Sequence, residues 1–124
     1  MKLLLDTHIV LWALLDDPRL PAPLRDAITG AQALYISSVS VWEVSIKAGL
    51  GKLEVPRDLF SRALAAGAQP LPITWEHARA VQDLPPHHAD PFDRLLIAQA
   101  LCEGLTLVSV DRMVRGYDVP LLAG

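Results

Sequence analysis

The sequence predicts an α/β fold: a three-layer α/β/α arrangement around a central, mainly parallel sheet of four to five strands. Strand-like and helix-like segments alternate from one end of the chain to the other, the pattern of successive βα units. The strand candidates are continuous apolar runs such as Leu3-Leu4-Leu5, and such runs mark strands buried on both faces of a parallel sheet. An apolar fraction of 52% and a mean hydropathy of +0.31 fit a doubly covered sheet. The surplus beyond that is expected at an oligomer interface.

The first strand is Lys2–Leu5, followed by a helix over Thr7–Leu15 that Asp16-Asp17-Pro18 stops. A second helix, Ala22–Gly30, leads to a strand over Ala33–Ile36. Ser37, Ser38 and Ser40 offer caps for a helix running to Gly49, because a serine oxygen accepts from the free N–H groups of a first turn. A turn at Gly49-Leu50-Gly51-Lys52 and the pair Val55-Pro56 precede a helix over Arg57–Ala66. The strand Gln69–Ile73 carries Pro70 and Pro72, which lack the ladder donor and so belong at a sheet edge. Thr74 caps a helix over Trp75–Leu84, and Pro85-Pro86-His87-His88-Ala89 is a loop. Asp90 caps the next helix with Pro91 at its first position, and Gly104 ends it. A strand over Thr106–Val110, a short segment Arg112–Tyr117 and a last strand Val119–Leu122 complete the chain.

At 124 residues this is a single domain spanning 1–124, long enough to bury one core. The net charge of −3 provides no basic tract of the kind that marks a general nucleic-acid binder. The one cysteine, Cys102, excludes an internal disulfide, fits the cytoplasm, and is expected to be a buried small apolar residue. Lys2 and the leucines after it start like a signal peptide, but Asp6-Thr7-His8 interrupts the run and no cleavage site follows. No stretch approaches the roughly 20 apolar residues of a membrane span. The chain is read as soluble, cytoplasmic and unprocessed.

Asp6, Glu43, Asp93 and Asp111 each stand beside a strand end or a helix start. In an open parallel sheet, ligands bind in the crevice outside the carboxyl ends of the strands. Carboxylates gathered there repel one another, and a hard divalent cation with oxygen ligands is the simplest group to hold them together. Each acid also has a plainer reading as a helix cap, and Ser40-Val41-Trp42-Glu43 has the form of a capping box. With Ser37 or Ser38 as the cap, Glu43 lies further into an apolar helix and needs a partner, either a metal or Lys47. Asp90 is assigned to capping. Lys47, Arg94, Arg112 and Arg115 are expected on the rim of the site, where they serve phosphate contact or solubility equally well. His87-His88 lacks a third ligand at zinc spacing, and His8 and His77 read as packing or surface residues.

The motifs together resemble a PIN-domain endoribonuclease, specifically a VapC-type toxin of a type II toxin–antitoxin system. The resemblance spans the chain: Leu4-Leu5-Asp6-Thr7-His8, Tyr35-Ile36-Ser37-Ser38-Val39-Ser40-Val41-Trp42-Glu43, Leu84-Pro85-Pro86-His87-His88, the segment from Asp90-Pro91-Phe92-Asp93-Arg94 to Ala100, and Leu107-Val108-Ser109-Val110-Asp111. It implies a PIN-like fold, metal-dependent hydrolysis of RNA phosphodiester bonds, a homodimer, and inhibition by a cognate antitoxin whose basic segment enters the acidic pocket. The family's acidic quartet falls on Asp6, Glu43, Asp93 and Asp111 without substitution. Asp6, Asp93 and Asp111 are then ligands of Mg²⁺, with Mn²⁺ the other candidate, and Glu43 is a ligand or the base that takes the water's proton. The alternative is a non-catalytic PIN-like protein-binding module, in which the acids only cap helices. A phosphoacceptor receiver domain is disfavoured, because no Asp lies between Asp26 and Asp58 to accept the phosphoryl group.

Overall fold

The computed structural model describes residues 1–123. Its strands are β1 (Lys2–Leu5), β2 (Ala33–Ser37), β3 (Gln69–Leu71), β4 (Thr106–Val108) and β5 (Leu121–Leu122). They form one sheet in the order β3-β2-β1-β4-β5, and every pairing is parallel. Leu5 is in register with Ile36 of β2 and with Val108 of β4, so β1 and β4 finish level at one edge and β2 runs one residue further, to Ser37. β3 is an outer strand, as its prolines require, and it ends at Leu71 instead of Ile73 because Pro72 has no N–H for the ladder. β4 also stops early, since the Ser109 hydroxyl turns back to accept the Asp111 amide at 3.1 Å.

The helices are α1 (Thr7–Leu14), α2 (Ala22–Thr29), α3 (Ser38–Gly49), α4 (Leu59–Ala65), α5 (Trp75–Ala80) and α6 (Pro91–Glu103). Side chains of β1 alternate between two apolar layers, as the pleat dictates. Leu3 and Leu5 pack with Ile9, Val10, Leu24 and Ala63 beneath α1, α2 and α4. Leu4 packs with Val39, Leu96, Ile97, Ala100 and Leu107 beneath α3 and α6. Each such leucine contributes about 1.5–3 kcal/mol of burial. The two layers take up much of the apolar fraction, while Trp42, Leu50 and Trp75 among others remain exposed. Among the described residues, no helix is long and apolar enough to cross a membrane.

Several local expectations change. Ser37, not Ser40, caps α3, its hydroxyl accepting the Val39 amide at 2.9 Å. Ser40 is instead buried against Thr7, hydroxyl to hydroxyl at 2.9 Å, which ties α3 to the start of α1. The reading of Ser40 to Glu43 as a capping box is therefore wrong. The helix expected to run to Leu84 is α up to Ala80 and tightens into a 3-10 turn over Val81–Asp83. His77, only 1% exposed, closes a capping box with Thr74 and meets Glu103 through Nε2 at 2.8 Å. Cys102 is half-buried rather than buried, and burial and the neighbouring Glu76 push its thiol pKa up. Gly104 ends α6 at a φ of 67°, a left-handed conformation that glycine adopts without Cβ strain.

Candidate metal centre

In the order β3-β2-β1-β4-β5, the direction of winding reverses between β1 and β4. Such a switch point opens a crevice at the carboxyl ends of the two strands. Asp6 follows β1 directly, and Asp111 follows β4 after Ser109-Val110. The Asp6 amide donates to the Val108 carbonyl at 3.0 Å, which fixes the two chain exits side by side.

Asp6 caps α1, with Oδ1 accepting the Ile9 amide at 2.9 Å, and it is 6% exposed. Burial raises its pKa against the opposing pull of the Ser109 hydroxyl and the Ile9 amide. Asp111 caps the 3-10 turn Arg112–Gly116 through Oδ1, which accepts the Met113 amide at 2.9 Å. Burial pushes Asp111 upward, but the Met113 amide and His88 outweigh it and hold the pKa below the ordinary value. Asp90 caps α6, its Oδ1 accepting the amides of Phe92 at 2.8 Å and Asp93 at 3.2 Å. Asp93 stands in that first turn, and burial, then the charges of Asp90 and Asp6, push its pKa up to about 7. Capping and site-building coexist here. The two capping residues of the crevice, Asp6 and Asp111, spend Oδ1 on a helix end.

His88, set aside on sequence as a zinc ligand, stands among these acids. Its Nε2 lies 2.8 Å from Asp93 Oδ2 and 3.0 Å from Asp111 Oδ2. Ligand atoms of His88, Asp93 and Asp111 all lie within 4.8 Å of one another. Burial pulls the imidazole pKa down, yet the hydrogen bond and charge of Asp111 and the charge of Asp93 carry it above its ordinary value. The loop holding it is pinned from below. The His88 amide donates to Tyr117 Oη at 2.9 Å, and Arg94 donates to that same oxygen at 3.0 Å and to the Pro85 carbonyl at 2.8 Å. Arg94 also reaches the carbonyls of Val81 and Leu84. It is thus a loop anchor and not the rim base that its charge suggested.

Glu43 lies on α3, 3% exposed, and its carboxylate is outside that three-residue group. Lys47 Nζ meets Oε2 at 2.6 Å, whereas Oε1 is buried with no hydrogen-bond partner among the described residues. A groove of about 300 Å³ between α1 and α3 runs past it, lined by Thr7, His8, Trp12, Lys47 and Lys52. Lys47 therefore does sit where a rim base was expected. Arg112 and Arg115 are exposed on the 3-10 turn that follows Asp111.

The PIN domain family matches this sequence over residues 3–119. The chain belongs to the PIN domain family. It is 30% identical over 120 residues to ribonuclease VapC22 of Mycobacterium tuberculosis, covering 94% of this chain and 92% of that protein. The fold also matches the crystal structure of VapBC2 from Rickettsia felis bound to a promoter DNA fragment, with a TM-score of 0.73, 17% identity and 98% of both chains covered. DNA-bound VapBC from Salmonella typhimurium matches with a TM-score of 0.71 and 16% identity, over 98% of this chain and 97% of that one.

The donor set of this PIN domain suits a divalent cation. Asp6, Asp93 and Asp111 offer hard carboxylate oxygens of the kind Mg²⁺ and Mn²⁺ accept. Burial and mutual repulsion push Asp6 and Asp93 toward the protonated form, so the crevice gains most from a positive charge placed within it. The bare Oε1 of Glu43 is a further buried acceptor without a donor.

Proposed function

We propose that this PIN domain is a metal-dependent endoribonuclease that hydrolyses RNA phosphodiester bonds and acts as the toxin of a toxin–antitoxin pair. The convergence of Asp93 and Asp111, within 4.8 Å at their ligand atoms and in the electrostatic field of Asp6, carries the reading. The relative that is named a ribonuclease supports the choice of RNA. Asp6, Asp93 and Asp111 would hold Mg²⁺ or Mn²⁺, which would lower the pKa of a water and offset charge on the leaving oxygen. Glu43 takes the proton of the attacking water on Oε1, while Lys47 fixes the carboxylate through Oε2. Lys47 and Lys52, along the groove beside Glu43, meet the phosphates on either side of the cut.

Solved structures with this fold are described as VapBC assemblies, and the proposal gives this chain a cognate antitoxin as partner. Val41, Trp42, Ile46 and Leu50 leave apolar surface exposed on and just beyond α3, and the antitoxin and a second copy in a homodimer are assigned to such surface. Acting on RNA, the enzyme works in the cytoplasm. The test uses purified protein free of antitoxin, structured RNAs, and Mg²⁺ or EDTA, beside D6N and D93N. Cleavage is expected with Mg²⁺ alone and only from the unsubstituted chain. Cleavage that survives EDTA or both substitutions would sink the reading.

A further inference from the structure

His88 presents an N–H to the two carboxylates where a metal ligand would present a lone pair. Its Nδ1 faces the Asp90 amide at 3.3 Å, and a ring nitrogen accepts an N–H only when it is bare. In the neutral ring the hydrogen therefore sits on Nε2, between Asp93 Oδ2 at 2.8 Å and Asp111 Oδ2 at 3.0 Å. Ligation through Nε2 would move that hydrogen to Nδ1 and set it against the Asp90 N–H, donor facing donor. The imidazole also occupies the two carboxylate oxygens that a cation in the crevice would draw on. Ion and imidazole compete for the same acceptors.

We propose that His88 is a positioning residue: it holds Asp93 and Asp111 together in the metal-free protein, and the divalent ion displaces it instead of recruiting it as a ligand. The proposal rests on the metal-centre reading above. Once both are ionised, the two carboxylates repel unless a donor stands between them, and the charge of Asp6 adds to that repulsion. The backbone of His88 is pinned to Tyr117 Oη at 2.9 Å, so the ring leaves by rotating its side chain while the loop stays in place. The site is thereby kept assembled for metal and is charged a competition with its own side chain for binding it.

The experiment measures Mn²⁺ affinity and metal-free thermal midpoint for the full chain, His88→Ala and His88→Gln, at one fixed pH. The alanine variant is expected to melt lower without metal and to bind Mn²⁺ more tightly, by about three- to tenfold, the size of one charge-assisted hydrogen bond. The glutamine variant, which keeps a donor, is expected between alanine and the unsubstituted chain. Pulsed EPR of Mn²⁺ on the unsubstituted protein is expected to show no imidazole nitrogen coupling, a readout that needs no variant to fold. Unchanged or weaker Mn²⁺ binding by His88→Ala, or an imidazole coupling, overturns the inference and leaves the metal centre standing. Failure of every form to bind Mn²⁺ removes the metal centre, and the inference falls with it.

Discussion

Glu43 and Lys47 face each other one turn apart on α3, with Nζ 2.6 Å from Oε2, while the second carboxylate oxygen is buried without a partner among the described residues. The pair is asymmetric: the Glu43 side chain is 4% exposed and that of Lys47 is 42% exposed. Two substitutions separate its halves. Glu43→Gln keeps the shape but cannot take a proton, and is expected to lower RNA cleavage by about 100-fold or more with little change in thermal midpoint. Lys47→Ala leaves a buried carboxylate unpaired, and is expected to cost about 1–2 kcal/mol, discounted for the exposure of the lysine. A Glu43→Gln enzyme cleaving at full rate would remove Glu43 from the chemistry.

Asp93 stores the opposite trade. Burial and the charges of Asp90 and Asp6 work against its ionised form, so the charge is held at a cost to the metal-free fold. Asp93→Asn is expected to raise metal-free stability at mildly alkaline pH, on the order of 1 kcal/mol, and to abolish stabilisation by Mg²⁺ or Mn²⁺. Denaturant melts with and without metal check both halves. A variant less stable than the parent without metal would mean that Asp93 is held for structure.

Arg94 offers a test of the loop independent of the chemistry. It donates to the carbonyls of Val81, Leu84 and Pro85 and to Tyr117 Oη, four acceptors that a single ammonium cannot match in geometry. Arg94→Lys is expected to lose about 1.5–3 kcal/mol of stability. Its affinity for RNA, measured below the melting transition, is expected to stay near that of the parent. The reverse pattern, intact stability with weakened RNA binding, would restore Arg94 to the rim.

These contrasts mark what was legible in the amino-acid order. β1 and α6 were readable because their signals are local: an unbroken apolar run, a capping Asp90 before Pro91, and Gly104 at the stop. Parallel strands that end at one edge led to the expectation of a shared acidic site; Asp93 and Asp111 meet there with His88, whereas Glu43 lies outside that group. His88 was set aside because no third zinc ligand stands near it in sequence; its partners are the carboxylates of Asp93, five positions on, and Asp111, 23 positions on. The charge of Arg94 says nothing of direction, and only the fold turns the side chain beneath the loop. Ser40 looked like a cap because Thr7, its actual partner, is 33 positions away.

The pH response follows from the same carboxylates, with opposite signs for fold and metal. Asp93 titrates at about 7 in the folded chain against an ordinary 3.8, so between these values the folded protein holds a proton that the unfolded chain has released. Stability from this group is full at low pH and is lost as pH rises through about 7. His88, raised above 6.5, acts in the same direction: its contribution is full below 6.5 and is lost as pH rises through the folded value. Asp111 is lowered, so its contribution is present above 3.8 and lost only as pH falls through its folded value, outside this window. The metal-free protein is therefore expected to melt lower at about pH 8 than at about pH 6. With Asp93 as a ligand of the proposed metal, binding would need it ionised, so affinity is expected to rise by up to about tenfold per pH unit below 7 and to level off above it. Thermal melts across that range, with and without Mn²⁺, check both slopes. A metal-free midpoint that climbs with pH, or an affinity that stays flat, contradicts the assignment of Asp93 as the titrating ligand.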